Sequence, residues 1–95
     1  MSNLKIVIIP NLSKQNARFH TIKVINMLQK FDAKVLMRSD LKSYFSDFGI
    51  VFYDDFKKMM ADCDIVIAVG GDGTIVHCAR HAAAVEKPSL GINIG

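Results

Sequence analysis

Asp64-Ile65-Val66-Ile67-Ala68-Val69-Gly70-Gly71-Asp72-Gly73-Thr74 is the stretch that decides the fold. Its first half is a continuous apolar run of the length of a strand buried on both faces. Its second half is a glycine turn carrying one carboxylate. Directly after it, Ile75-Val76-His77-Cys78-Ala79-Arg80 shows the spacing of a helix. A buried strand that stops at a glycine turn and restarts as a helix aims several backbone N–H groups and the positive end of a helix dipole at one spot. That is the geometry of a phosphate cradle. A cradle that only held phosphate would gain nothing from Asp72, because like charges repel, so Asp72 is the residue to explain.

Gly70, Gly71 and Gly73 can take positive φ, and they leave no Cβ between backbone and ligand. Thr74 caps the following helix or offers its hydroxyl to a phosphate. The structural alternative is a tight strand-to-helix turn with Asp72 as a turn residue. Two common phosphate motifs are absent. No Gly-Lys-Ser/Thr is present, which excludes a Walker A loop. Counting a dinucleotide fingerprint from Gly71 and Gly73 puts Val76 where a third glycine or alanine belongs.

Working outward, the chain alternates strand and helix patterns. Leu4 to Ile9 is apolar except for Lys5 and ends at Pro10-Asn11. Ala17 to Phe31 carries Phe19, Ile22, Ile25, Leu28 and Phe31 at helical spacing, with Ser13 or Asn16 available as cap. Lys34 to Met37 is a short strand. Asp40 to Gly49 is ambiguous: Leu41, Tyr44, Phe45 and Phe48 have helical spacing, but Gly49 ends the run. Asp54 is placed as the cap of a short helix through Met60, with Phe56, Met59 and Met60 inward. Asp64 to Val69 is a strand, Thr74 to Ala84 a helix, and after Pro88 a further strand runs from Ser89 to Ile94. This alternation predicts a doubly wound, mainly parallel α/β sheet. Ligands of such sheets sit beyond the carboxyl ends of the strands. Pro10-Asn11, the glycine turn and Gly95 all fall at such ends and are expected to share one rim.

Composition agrees. Ninety-five residues make one domain, and 51% are apolar, enough for a core. The net charge of +3 comes from scattered lysines (Lys5, Lys14, Lys23, Lys30, Lys34, Lys42) without a basic cluster, so no nucleic-acid partner is expected. No segment approaches transmembrane length, and no membrane partner is expected. Met1 leads directly into a strand pattern rather than a leader, and Cys63 and Cys78 lack Cys-x-x-Cys spacing. Reduced thiols in a cytoplasmic protein are the expectation. His77 and His81 stand one helical turn apart, but without a further carboxylate or paired thiol no metal site is assigned. His77 has two open readings: a residue facing ligand phosphates or ribose, or a histidine on a helix surface. For Arg80 the choice is between phosphate pairing and helix solvation.

Gly70-Gly71-Asp72-Gly73-Thr74 resembles the motif shared by NAD kinases, the diacylglycerol and sphingosine kinases, and the phosphofructokinases. The following residues narrow it. Ala79-Arg80 after the turn, then Pro88 leading to Gly91-Ile92-Asn93-Ile94-Gly95, resemble the NAD kinase pattern. Lipid kinases typically have Asn-Glu where this chain has Val76-His77, and phosphofructokinases usually have serine where it has Thr74. The specific resemblance covers residues 65–95; the earlier residues match in pattern only. It implies a phosphofructokinase-like, Rossmann-like N-terminal domain that in the family precedes a β-rich C-terminal domain, absent here. It implies phosphoryl transfer from ATP or inorganic polyphosphate to the adenosine ribose 2′-hydroxyl of NAD, with Mg²⁺ or another divalent cation. Asp72 takes the general-base role in this resemblance. Gly71, Asp72, Gly73, Thr74, His77 and Asn93 are expected at the NAD and ATP site. A homo-oligomer, dimer or tetramer, is expected for the full-length enzyme, with the 95 residues alone inactive. The alternatives carried beside it are a lipid or sugar kinase of the same superfamily and a non-catalytic nucleotide-binding module.

Overall fold

The computed structural model describes residues 4–95; the first three, on which the leader reading partly rests, lie outside the described residues. Five strands form one parallel sheet: β1 (Lys5–Pro10), β2 (Lys34–Arg38), β3 (Val51–Tyr53), β4 (Ile65–Gly70) and β5 (Ser89–Asn93), in the order β3-β2-β1-β4-β5. The four strands expected from sequence are β2, β1, β4 and β5, and they are consecutive neighbours. The chain winds outward from β1 in one direction, then returns to β4 on its other side. That reversal opens a crevice beyond the carboxyl ends of β1 and β4.

The connecting helices are α1 (Ala17–Lys30), a single turn α2 (Lys42–Phe45), α3 (Phe56–Asp62) and α4 (Asp72–Ala84). They cover both faces, and period-two alternation sorts the strand residues between them. Ile6 and Ile8 of β1, Val35 and Met37 of β2, and Ile67 and Val69 of β4 join Ile25 of α1 and Phe45 in one buried cluster. Val7, Leu36, Val66 and Ala68 face the other way, onto Met59, Met60, Cys63, Cys78 and Ala82. Strands buried on both faces explain why β1 and β4 read as unbroken apolar runs. Truncating a side chain such as Leu36 to alanine in a core of this kind costs about 2–5 kcal/mol.

Several expectations are corrected. β3 has no counterpart in the sequence reading; three residues at a sheet edge, half exposed, are too short to show a period. The ambiguous 40–49 segment is α2 flanked by 3-10 turns at Ser39–Leu41 and Ser46–Phe48, closed by Gly49 at φ 66. The cap of α3 is Asp55, whose carboxylate accepts from the Lys58 N–H, and not Asp54. Neither Ser13 nor Asn16 caps α1 through its side chain: Asn16 holds the cap position at φ 65 without a side-chain bond, and Ser13 donates to Asn11 Oδ1. α4 begins at Asp72 rather than Thr74, with Gly71 as its cap residue. Phe19 and Phe31 lie outside the core, at 59% and 71% exposure; the ammonium of Lys23 sits 5.2 Å above the Phe19 ring. Cys63 and Cys78 are buried free thiols, and desolvation pushes both up from the ordinary thiol range.

Candidate active site at the strand ends

Three strand ends converge on the start of α4. β4 runs straight into it through Gly70 and Gly71, and the Ile75 N–H bonds back to the Gly71 carbonyl at 3.1 Å to open the helix. From β1, Asn11 ties the next loop to this turn: its backbone N–H donates to the Val69 carbonyl at 2.8 Å, and its Nδ2 donates to Thr74 Oγ1 at 3.2 Å. From β5, Ile94 donates to the Gly70 carbonyl at 2.9 Å. Asn93 Nδ2 donates to Asp72 Oδ1 at 2.7 Å, while Asn93 Oδ1 accepts from the Gly95 N–H at 3.1 Å. Asp72 is thus an exposed carboxylate with one oxygen fixed by its neighbouring strand.

The glycines work by close approach. Among the described residues only Gly49 and Gly95 have positive φ among glycines, so Gly70, Gly71 and Gly73 do not use the left-handed conformation open to them. A Cβ on Gly70 would stand 2.9 Å from both Cβ and Oγ1 of Thr74, inside any tolerable contact. On Gly71 it would meet Cε of Lys14 at 3.1 Å. A Cβ on Gly73 meets nothing within 4 Å, so no packing reason for that glycine exists inside the chain. Lys14 therefore lies across the turn, and among the described residues no carboxylate approaches its ammonium within the 4 Å of an ion pair. A lysine beside the positive end of a helix is electrostatically unfavourable unless an anion joins them.

Of the residues singled out in the sequence, Gly71, Asp72, Thr74 and Asn93 are brought into direct contact with this turn, and Gly73 opens to solvent beside it. His77 points elsewhere, into a cavity of about 350 Å³ that it lines with Ile9, Arg38, Asp54, Phe56 and His81. Its Nε2 lies 3.2 Å from that of His81. Arg80 makes no part of either place. Arg38 carries no motif in the sequence, and Lys14, Asp54 and His81 show there only as a scattered lysine, a helix cap and the helical partner of His77, none of which marks a ligand site; for Asn11 the signal is its position directly after a buried strand.

An open, doubly wound parallel domain with a glycine turn, a carboxylate at the first residue of the next helix and a cation laid across the turn defines a class: α/β domains built to meet phosphate-bearing ligands at the strand ends. Residues 6–95 match the family model described as the ATP-NAD kinase N-terminal domain, and the chain belongs to that family. It is similar to the NAD kinase of Thermoanaerobacter sp. strain X514, at 30% identity over 96% of this chain and 31% of the relative. Similar too are the NAD kinases of Ruminiclostridium cellulolyticum, at 32% over 96% of this chain and 31% of the relative, and of Bacteroides fragilis, at 30% over 97% and 33%. The chain thus spans about a third of the curated relatives it matches. Among solved structures, yeast NADH kinase complexed with NADH superposes on 98% of this chain and 30% of its own, with a TM-score of 0.78 and 19% identity. The dehydrogenase GnnA of Acidithiobacillus ferrooxidans, at a TM-score of 0.63 and 16% identity, shares the fold.

Proposed function

We propose that this chain is the N-terminal, aspartate-bearing part of an enzyme that phosphorylates the adenosine ribose 2′-hydroxyl of NAD to give NADP, with ATP or inorganic polyphosphate as donor. The observation that carries the reading is the Asp72 carboxylate, held by Asn93 at the mouth of a glycine turn in a chain of the NAD kinase family. Relatives matched along most of this chain are named NAD kinases, and the yeast neighbour was solved with NADH.

In this mechanism Asp72 Oδ2, left without a partner by the Asn93 contact, accepts the proton of the 2′-hydroxyl. The hydroxyl oxygen forms the new bond to the transferred phosphorus as the bond to the leaving phosphate oxygen breaks. Such transition states are loose, so orientation of the hydroxyl outweighs basicity. The amides of the turn, Thr74 Oγ1 and the Lys14 ammonium hold phosphate oxygens, and Gly73 leaves room for the ribose. Mg²⁺ would supply charge neutralisation between the donor's phosphates. No group of three or more metal-ligating side chains stands together among the described residues. With Asp72 engaged by Asn93 and the acceptor hydroxyl, the oxygens beside it (Thr74 and Asn93) fit an ion that arrives with the phosphates and is held chiefly by them.

The family match favours NAD over a lipid or sugar acceptor. Action in the cytoplasm and assembly as a dimer or tetramer belong to the same proposal; no helix among the described residues is long and apolar enough to cross a membrane. The test is NADP formation from NAD by the full-length gene product with ATP or polyphosphate and Mg²⁺. Formation with either donor supports the reading; phosphorylation of a lipid or sugar but not NAD overturns it.

A further inference from the structure

Two asparagines flank the exit of β4. Asn11 directly follows β1 and Asn93 ends β5, and these are the two strands that pair with β4 on either side. Each amide is locked by a backbone N–H two residues further on. The Ser13 N–H donates to Asn11 Oδ1 at 3.1 Å, and the Gly95 N–H donates to Asn93 Oδ1 at 3.1 Å. A backbone N–H can only donate, so the oxygen of each amide is fixed on that side and its NH₂ on the other. The Asn93 NH₂ goes to Asp72 Oδ1 at 2.7 Å and the Asn11 NH₂ to Thr74 Oγ1 at 3.2 Å. The same device occurs twice, once against a carboxylate and once against a hydroxyl.

The hydroxyl is the case with consequences. An ionised carboxylate accepts whatever faces it, but a hydroxyl accepts or donates according to its partner. We propose that Asn11 is a positioning residue that commits Thr74 to donate: with Oγ1 accepting from the Asn11 NH₂, the hydroxyl hydrogen is left for an acceptor outside the chain, a phosphate oxygen. This rests on the reading of the chain as a NAD kinase domain. Among the described residues the Thr74 hydroxyl has no other hydrogen-bond partner. The bare backbone of Gly70 admits it to the turn, since a Cβ there would stand 2.9 Å from Oγ1.

Asn11 also shapes the loop that brings the cation. Its carbonyl accepts the Lys14 N–H at 3.1 Å, and its Oδ1 takes the Ser13 hydroxyl at 2.6 Å as well as the Ser13 N–H. That closed turn sets Lys14 across Gly71. Two donors, a hydroxyl and an ammonium, thus reach the glycine turn from the β1 side through one residue. The acceptor, Asp72, is held from the β5 side.

The informative change is Asn11→Asp. Its carboxylate still accepts from Ser13, which keeps the loop, but it also accepts from Thr74 and draws the hydroxyl hydrogen away from the phosphate. Asn11→Ala loses the loop bonds yet leaves the hydroxyl free to donate. In the full-length enzyme Asn11→Asp should raise the KM of one phosphate-bearing substrate about tenfold or more, the scale of one charge-assisted hydrogen bond, with kcat nearly unchanged and with a larger effect than Asn11→Ala. Whether the KM of the phosphoryl donor or that of NAD rises tells whose phosphate Thr74 meets. Repeating Asn11→Asp in a Thr74→Val background keeps the added charge but removes the hydroxyl, and there the rise should fall below about threefold. Thr74→Val alone should raise the same KM, and Thr74→Ser should not. Equal fold-changes for Asn11→Asp in both backgrounds, an equal rise for Asn11→Ala, a loss in kcat alone, or a silent Thr74→Val would each overturn the proposal. Binding of ATP with Mg²⁺, inorganic tripolyphosphate and NAD to the same proteins is followed by calorimetry. A wild type that makes no NADP sinks the kinase reading, and the affinities of the variants for whichever of these ligands it binds then decide the role of Asn11. A wild type that binds none of them sinks both, whereas normal kinetics in Asn11→Asp sink only the role of Asn11.

Discussion

Asn93, the last residue of β5, donates from Nδ2 to Oδ1 of Asp72, the first residue of α4, at 2.7 Å. Twenty-one residues separate them in the chain, and parallel pairing of β4 with β5 brings them together, with Gly70 opposite Asn93 in the register. The contact orients the carboxylate and leaves its second oxygen for the acceptor. Asn93 is bound in turn by the Gly95 N–H, so its amide is not free to rotate.

Asp72→Asn is expected to keep the fold, since an asparagine is isosteric and its side-chain oxygen still accepts from Asn93. It cannot take a proton from the ribose hydroxyl, so kcat in the full-length enzyme should fall on the order of 10²–10⁴-fold. Asn93→Ala should cost less, because it frees the carboxylate without removing it. A kcat for Asp72→Asn close to wild type, with an unchanged melting curve, would rule out general-base action by this residue.

Two glycines of the turn should separate folding from function. Gly73→Ala adds a methyl that meets nothing within 4 Å, at a helical position where alanine is favoured by about 1 kcal/mol. Its melting temperature should hold or rise while NAD phosphorylation drops, because the methyl enters ligand space. Gly70→Ala drives a methyl to 2.9 Å from Thr74 and should lower the melting temperature. A Gly73→Ala protein with normal steady-state kinetics would mean that no ligand approaches the turn there.

Gly91 in β5 lies under Ile75 of α4. A Cβ on it would come within 2.5 Å of Ile75 Cγ2 and 2.9 Å of Cγ1, so Gly91→Ala should destabilise by about 1–3 kcal/mol through overpacking. Adding Ile75→Ala removes both colliding atoms. In a double-mutant cycle by denaturant unfolding, the pair should lose less than the sum of the single changes. Strict additivity would show that the two side chains do not share this space.

Tyr53 of β3 donates its hydroxyl to Asp62 Oδ2 of α3 at 2.9 Å. That bond is the largest influence on both groups, raising the phenol and lowering the carboxyl, with Lys58 at 3.4 Å helping to lower the latter. A carboxyl lowered on folding contributes stability above its unfolded value, roughly pH 4, and loses it as pH falls through the folded value. A phenol raised on folding contributes below its unfolded value, roughly pH 10, and loses it as pH rises through the folded one. Tyr53→Phe should therefore be less stable than wild type near neutrality, with the gap closing at both extremes. Chemical denaturation from about pH 3 to about pH 7 reads the acid side. A gap that stays constant over that span would show that the bond does not couple to Asp62 ionisation.

The strand–helix alternation, the doubly wound class and the glycine turn were all legible in the sequence, because each rests on local pattern. Buried strands are apolar whatever surrounds them, and Gly-Gly-Asp-Gly-Thr marks its own turn. Asp72 could be singled out by its charge alone. Sequence could not show that Gly70 and Gly71 serve close packing rather than positive φ, since that depends on where Thr74 and Lys14 come to rest. Nor could it join Asn11 to Thr74 or Asn93 to Asp72. Those contacts exist only because parallel pairing sets three strand ends side by side, and pairing across 63 and 21 residues leaves no mark on neighbouring positions. His77 shows the same division. Helical spacing put it one turn from His81, but only the packing of α3 and α4 against the sheet turned both rings into a cavity with Arg38, Asp54 and Phe56. Local periodicity determined which elements form; the register and crossing of those elements decided which side chains meet.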